Sequence, residues 1–199
     1  MGNLKKYLAE SVLIVFSVLF ALFINKLFDD HKTEERKQIA LESIQKEIIR
    51  NNAILTEWKT HHIAMRDRIK SLVDQKNDSL KNVLLASKYL DLGLLSDQQS
   101  LINDILSDTA WESARTTGII QAFNFEQIEL LTKVYKMQEV LIDKTLMNIL
   151  DLYFNADTHN MKNLDPTLLQ LQLRFQELTG QEELMNYLYG EALKNFEIQ

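Results

Sequence analysis

Fifteen consecutive residues from Ser11 to Asn25, SVLIVFSVLFALFIN, carry no charge, and nothing else in the chain restricts its fold so strongly. Widened to Tyr7–Phe28, the stretch meets only Glu10 and Lys26 as charged groups. A membrane-spanning helix needs roughly 20 predominantly apolar residues, and this stretch reaches that length when Glu10 and Lys26 sit near opposite interfaces. A cleaved signal peptide and a buried core helix are the alternatives. Cleavage is disfavoured because Phe20, Leu22, Phe23 and Ile24 leave no small-x-small site after the apolar run. The expectation is a retained transmembrane anchor over residues 1–31 in a single-pass protein of the cell inner membrane, with lipid as its first partner.

Glu10, Ser17, Ala21 and Asn25 recur at separations of seven, four and four, on one helical face. Small and polar residues on one stripe let helices approach and hydrogen-bond in lipid, which points to self-association. Glu10 would line a pore if the stripe faced one. Alternatively, Glu10 and Asn25 mark the two interfaces.

The chain has 199 residues with 5 glycines, 1 proline and no cysteine. Ordinary chains carry about 7% Gly and about 5% Pro, so the composition favours helices over sheets or disorder. The length suits one span plus one soluble domain. Without cysteine there are no disulfides, thiolate metal sites or thiol nucleophiles, while the compartment stays open.

The formal charge of -6 is uneven. Residues 1–31 balance, residues 32–70 sum to +3 and residues 71–199 to -9. A mildly basic half beside the anchor suits anionic lipid, and an acidic distal half argues against nucleic acid as a partner. Lys5 and Lys6 precede the span while Lys26, Lys32, Arg36 and Lys37 follow it, so the positive-inside rule leans toward a cytoplasmic domain.

Between Asn3 and Leu92 there is neither Gly nor Pro, so no backbone chemistry forces a break after the span. The spacing predicts a long stalk helix over residues 32–77. From Leu41 a heptad runs through Leu41, Ile48, Leu55, His62 and Ile69 at one core position and Ile44, Asn51, Trp58, Met65 and Leu72 at the other. Such a stripe packs along its length against a partner, in another copy or in the same chain. Asn51 and His62 interrupt it, and a core Asn is a device for fixing register. His62 is expected to hold its polar end outward.

Residues 78–199 read as a helical bundle packed on the stalk. Ser79 is placed as the cap of a helix running to a stop at Gly93. Ser96 and Gln99 form a capping box for a helix holding Leu101, Ile102, Ile105 and Leu106. Asp108 reads as an N-cap of a short helix ended by Gly118, with Trp111 inward and Arg115 pairing Glu112 or Asp108, a structural corner or a ligand pocket around Trp111. Asn124 opens a long helix to about Asn155. Asp165-Pro166 begins another that Gly180 closes, and a last helix follows from Gln181. The fold class is all-α, with six or seven helices.

Candidate chemistry is sparse. Glu57 and His61 stand at i and i+4, as an acid–base or metal pair would, but no third ligand is spaced to join them. No arginine precedes a histidine at the spacing of helical ribonucleases. The adjacent carboxylates Glu182-Glu183 and Asp29-Asp30 read as solvated surface. The expectation is therefore no catalytic residue, no metal and no cofactor.

The anchor exit Ala21-Leu-Phe-Ile-Asn25, the charged stalk, and the Asp108–Gly118 segment followed by Ile119 and Ile120 resemble a family of bacterial single-pass membrane proteins of unknown function. Members often carry tryptophan after the Asn, where this chain has Leu27. The resemblance implies an N-terminal anchor and a helical domain, and no activity. In architecture alone the chain is similar to the small membrane accessory protein of type VI-B CRISPR systems, which assembles into a pore. Two functions follow as expectations. The first is a non-enzymatic membrane-anchored interaction or scaffold protein, a homo-oligomer with a protein partner. The alternative is an oligomeric pore or membrane-perturbing effector, such as an antiphage accessory.

Overall fold

A computed structural model describes residues 2–197, with side chains from Glu10 to Phe196. The side chains of Lys5 and Lys6 lie outside the described residues. All regular structure among the described residues is helical. In chain order the elements are α1 (Gly2–Val73), α2 (Asp78–Ala86), α3 (Leu92–Ser96), α4 (Thr109–Thr116), α5 (Phe125–Val140), α6 (Met147–Phe154) and α7 (Leu164–Glu197). A π-helical segment, Leu141–Leu146, joins α5 to α6 without a break, and short 3-10 turns occupy Ile119–Ala122, Ala156–His159 and Met161–Asn163.

The absence of Gly and Pro has its direct consequence in α1, 72 residues of one helix in which apolar run and stalk share a single backbone ladder. Apart from the partly covered Ile24, the large apolar side chains from Val12 to Phe28 are 50–70% exposed. The most apolar window of α1 has a mean hydropathy of 2.3 and none of it is buried, so by length and composition this helix can cross a membrane. Glu10, Ser17, Ala21 and Asn25 are all exposed, and the Ser17 hydroxyl donates to the Leu13 carbonyl of its own helix at 2.8 Å.

Burial begins at Leu41. All ten heptad residues of α1 are at most 5% exposed, and they are covered from within the chain. Helix α7 runs antiparallel to α1, since His62 meets Glu182 and Arg66 meets Thr179. Helix α5 runs parallel, since Glu47 meets Tyr135 and Asn51 meets Gln138. α7 carries a matching heptad of its own: Leu168, Leu171, Phe175, Leu178, Glu182, Met185, Tyr189 and Ala192, each at most 1% exposed. Two complementary stripes burying each other supply the largest hydrophobic contribution to the fold, at about 25 cal/mol per Å² of apolar surface.

Several local expectations are corrected. Asn77, not Ser79, caps α2, accepting from the Leu80 amide at 3.1 Å. α2 stops at Ala86, where the chain bends to bury Leu90; Gly93 lies inside α3, which Asp91 caps. No helix follows Ser96. Asp97 and Gln98 adopt left-handed conformations with φ of 53° and 62°, which breaks the helical path, and residues 97–108 contain only turns and irregular backbone. Gly180 does not end a helix: α7 passes straight through it, because the α1-facing heptad on both sides outweighs the weak helix propensity of one glycine. Asn124 opens α5 as expected, through a capping box with Gln127. Gly118, at φ 76°, terminates α4 where an L-residue would be strained.

Truncating the centre of the α1 stripe, Leu55→Ala, is expected to cost about 2–5 kcal/mol in urea unfolding at an unchanged m-value. Gly118→Ala, where an added Cβ meets nothing within 4 Å, should cost only the backbone strain, about 1 kcal/mol.

Candidate functional site

Residues 97–108 pose a physical problem. Leu101 and Leu106 are buried, so this irregular segment is drawn against the core, yet it has no ladder in which to satisfy its inward-facing polar groups. α1 supplies the partners. Asn51 acts as a surrogate backbone: its Nδ2 donates to the Ser107 carbonyl at 2.6 Å, and its Oδ1 accepts from the Ser107 amide at 2.9 Å. Trp58 Nε1 donates to Asn103 Oδ1 at 2.8 Å. His62 Nε2 lies 2.8 Å from the Leu101 carbonyl. Arg68 closes the entrance, donating to the Leu95 carbonyl at 2.7 Å and to Asp97 at 2.6 Å beside the left-handed residues. The interruptions of the heptad are thus the clamps of the loop.

His62 does not hold its polar end outward, as the sequence reading expected. It is fully buried, as is Glu182, with Nδ1 and Oε1 2.5 Å apart. The Leu101 carbonyl can only accept, so Nε2 carries a hydrogen. Phe175 stands edge-on to the ring at 6.1 Å, and Trp58 lies beside it at 6.4 Å. Glu182 is therefore not solvated surface. Its neighbour Glu183 is, at 70% exposure of its side chain, where it pairs with Lys59.

A second polar centre lies one turn below Asn51. Glu47 Oε2 accepts from the Ser107 hydroxyl at 2.8 Å and from the Ala110 amide at 2.9 Å, while Oε1 accepts from the Tyr135 hydroxyl at 2.7 Å. A carboxylate on the first turn of α4 suits the orphan amides and the positive end of the helix dipole. This corrects the role given to Asp108: it holds the N-cap position, but its side chain makes no cap hydrogen bond. Tyr135 stacks on Trp111 at 5.3 Å and 3°. Burial and the Glu47 carboxylate push the Tyr135 hydroxyl well above the usual phenol range, so it remains a donor. Arg115 pairs with Glu112 at 2.7 Å. Above Gln138, whose Nε2 also reaches the Ser107 carbonyl, Tyr189 closes the network by donating to Gln138 Oε1 at 2.7 Å.

Two of the open grooves beside the clamped loop carry candidate residues. One, of about 730 Å³, lies over Thr56, Glu57, Trp58, His61, Asp97 and Asn103. The other, of about 560 Å³, lies over the Trp111–Tyr135 stack and is rimmed by Asp108, Glu112, Arg115, Lys136, Glu139 and Asp143. Glu57 and His61 do share the first groove, and Glu57 accepts from Asn103 at 3.4 Å. Desolvation, then the neighbouring His62, holds the His61 imidazole below its usual range, with Asp97 opposing. Among the described residues no group of three or more His, Asp or Glu could hold a metal ion. Both grooves leave polar side chains open to hydrogen bonding.

The sequence reading missed Glu47, Gln138, Tyr189 and the role of Glu182. The signal for Glu182 was present: carried through Gly180, the 3–4 spacing of Leu168 to Ala192 places it on the buried stripe. Compared with known protein families, curated proteins and solved structures, the chain matches none.

Glu182→Leu should destabilise the fold by about 3–5 kcal/mol in urea, since it strands a buried imidazole, and the double variant with His62→Leu should recover part of that loss but not the Leu101 latch. The lowered His61 imidazole makes a pH prediction. Because the unfolded chain binds the proton more readily than the fold, His61 contributes stability that is complete above about pH 6.5 and is lost as pH falls below it. His61→Gln should flatten the fall in urea midpoint between pH 7 and pH 5.5.

Proposed function

We propose that this protein is a non-enzymatic, membrane-anchored interaction or scaffold protein, single-pass in a bacterial inner membrane, whose helical bundle presents its surface to a protein partner on the cytoplasmic side. The observation that carries the reading is the division of α1: an uncovered apolar half continuous with a half buried in a packed bundle. An unpartnered apolar helix of this length in water would aggregate, whereas in lipid it is satisfied along its whole surface. The non-enzymatic part is supported by the polar groups of the interior, Glu47, Asn51, His62 and Glu182, which are engaged in holding the chain together. The resemblance to bacterial single-pass proteins supports the same arrangement, and the basic residues following the span support the cytoplasmic side.

Carbonate-washed membranes from producing cells should retain the full chain, while a chain starting at Lys32 should be soluble with the same bundle helicity by circular dichroism. A full chain released by carbonate sinks the anchored reading. A C-terminal fluorescent fusion should glow and a C-terminal alkaline phosphatase fusion should be inactive; the reverse pattern moves the domain across the membrane. In a complementation assay Glu57→Gln, His61→Gln and Asp97→Asn should each behave as the parent, and collapse at any one would indicate a reacting centre in the first groove.

A further inference from the structure

With the α1 heptad buried inside its own chain, it is not available as an oligomerisation seam. Among the described residues, one face of α7 is long, largely apolar and uncovered. On α7, Leu169, Leu173, Gly180, Leu184 and Tyr187 fall within an arc of about 60° at 100° per residue, on the side opposite the heptad that meets α1. The four side chains are 48%, 58%, 47% and 62% exposed, although each is large and apolar in body. Gly180 stands near the middle of the stripe, inside a 34-residue helix and at ordinary helical backbone angles. Nothing lies within 4 Å of where its Cβ would be, so no contact within the chain calls for glycine. Glycine is a poor helix residue, and its standing use on a helix face is to let a second backbone come close.

We propose that this stripe is the contact between two copies of the chain, with α7 packed against α7 of a second copy and the two Gly180 residues at the crossing point. The proposal rests on the anchored reading above, which decides the geometry. α7 is antiparallel to α1, so it stands along the same axis as the span and presents its stripe sideways, where a bilayer surface cannot cover it. Copies anchored in one membrane share one orientation, so the two-fold axis relating them lies along the membrane normal. That operator sets α7 beside α7 in parallel, with Leu173 against Leu173, Leu184 against Leu184 and Tyr187 against Tyr187. Most of the charge beside it is engaged within one chain: Glu183 is paired with Lys59, Arg174 donates to the Asn148 carbonyl and Lys194 is paired with Glu191, while the exposed Glu177 at the edge of the stripe accepts from Gln181. The stripe leaves on the order of 400 Å² of apolar side chain uncovered per copy, about half of what a stable soluble dimer buries on each partner. Confinement to a membrane plane raises the effective concentration, which is how an interface of this size becomes populated.

The chain contains no cysteine, which makes the test clean. Full-length Leu173→Cys, oxidised in the membranes of producing cells, should form a covalent dimer through the same residue of two copies, whereas Lys133→Cys on the exposed face of α5 should stay monomeric. Adding Gly180→Leu to Leu173→Cys should reduce the covalent dimer at least tenfold. Gly180→Leu alone should leave the helicity intact and raise Tm by about 2–4 °C, since a better helix former replaces glycine in open space. No covalent dimer from Leu173→Cys, or a dimer indifferent to Gly180→Leu at intact helicity, overturns the proposal. Carbonate washing of the same membranes separates the two readings. A chain that stays in the membrane as a monomer overturns only the α7 contact, a released chain that still cross-links overturns only the anchor, and a released monomer overturns both.

Discussion

The buried His62–Glu182 pair is the interaction on which the register of the bundle depends. Two apolar heptads can slide past one another by seven residues and still bury methyl groups, so hydrophobic packing alone sets the register of α7 against α1 poorly. A carboxylate without its partner in that interior would cost several kcal/mol, and only one register brings Glu182 Oε1 to the imidazole. The same ring then reaches across to the Leu101 carbonyl. One side chain therefore ties the long antiparallel pair to the segment that has no secondary structure of its own.

That segment explains the polar residues of α1. Asn51, Trp58 and His62 stand at intervals of seven and four on the buried face, and each offers a donor to the stretch between Leu101 and Ser107. Glu47, one turn earlier, caps α4 from outside and orients Tyr135 beneath Trp111. The helix works as a rail of hydrogen-bonding groups along which a loop is laid, and the groove over Trp58 and His61 lies between the loop and that rail. Networks of this kind make a core specific, since an alternative packing leaves several of their members unpaired.

How far the sequence was legible depended on the range of the interaction involved. The uninterrupted helix through the apolar run, the buried stripe from Leu41 to Leu72, the Asn124 capping box and the positive φ of Gly118 are consequences of local chemistry, and each could be read locally. Gly180 was misread because a local stop signal was outweighed by a heptad extending on both sides of it. The helix expected over Leu101 to Leu106 failed because helically spaced apolar residues over so short a stretch were outweighed by contacts with α1, 39 to 56 residues away in sequence, which hold it in another shape. Glu182 looked like surface because nothing adjacent to a carboxylate in sequence announces a histidine 120 residues distant.

By itself the sequence determined that this chain is helical, that its first helix carries an apolar stretch long enough to cross a membrane, and that the stalk has one buried face, since periodicity and the absence of Gly and Pro act through the backbone of each residue and its near neighbours. Tertiary structure alone decided what covers that face, which polar residues are clamps, and which stripe of α7 is left bare. Those outcomes are set by pairs of groups far apart in the chain, and a buried polar atom can be assigned its partner only after the fold has brought the two within about 3 Å.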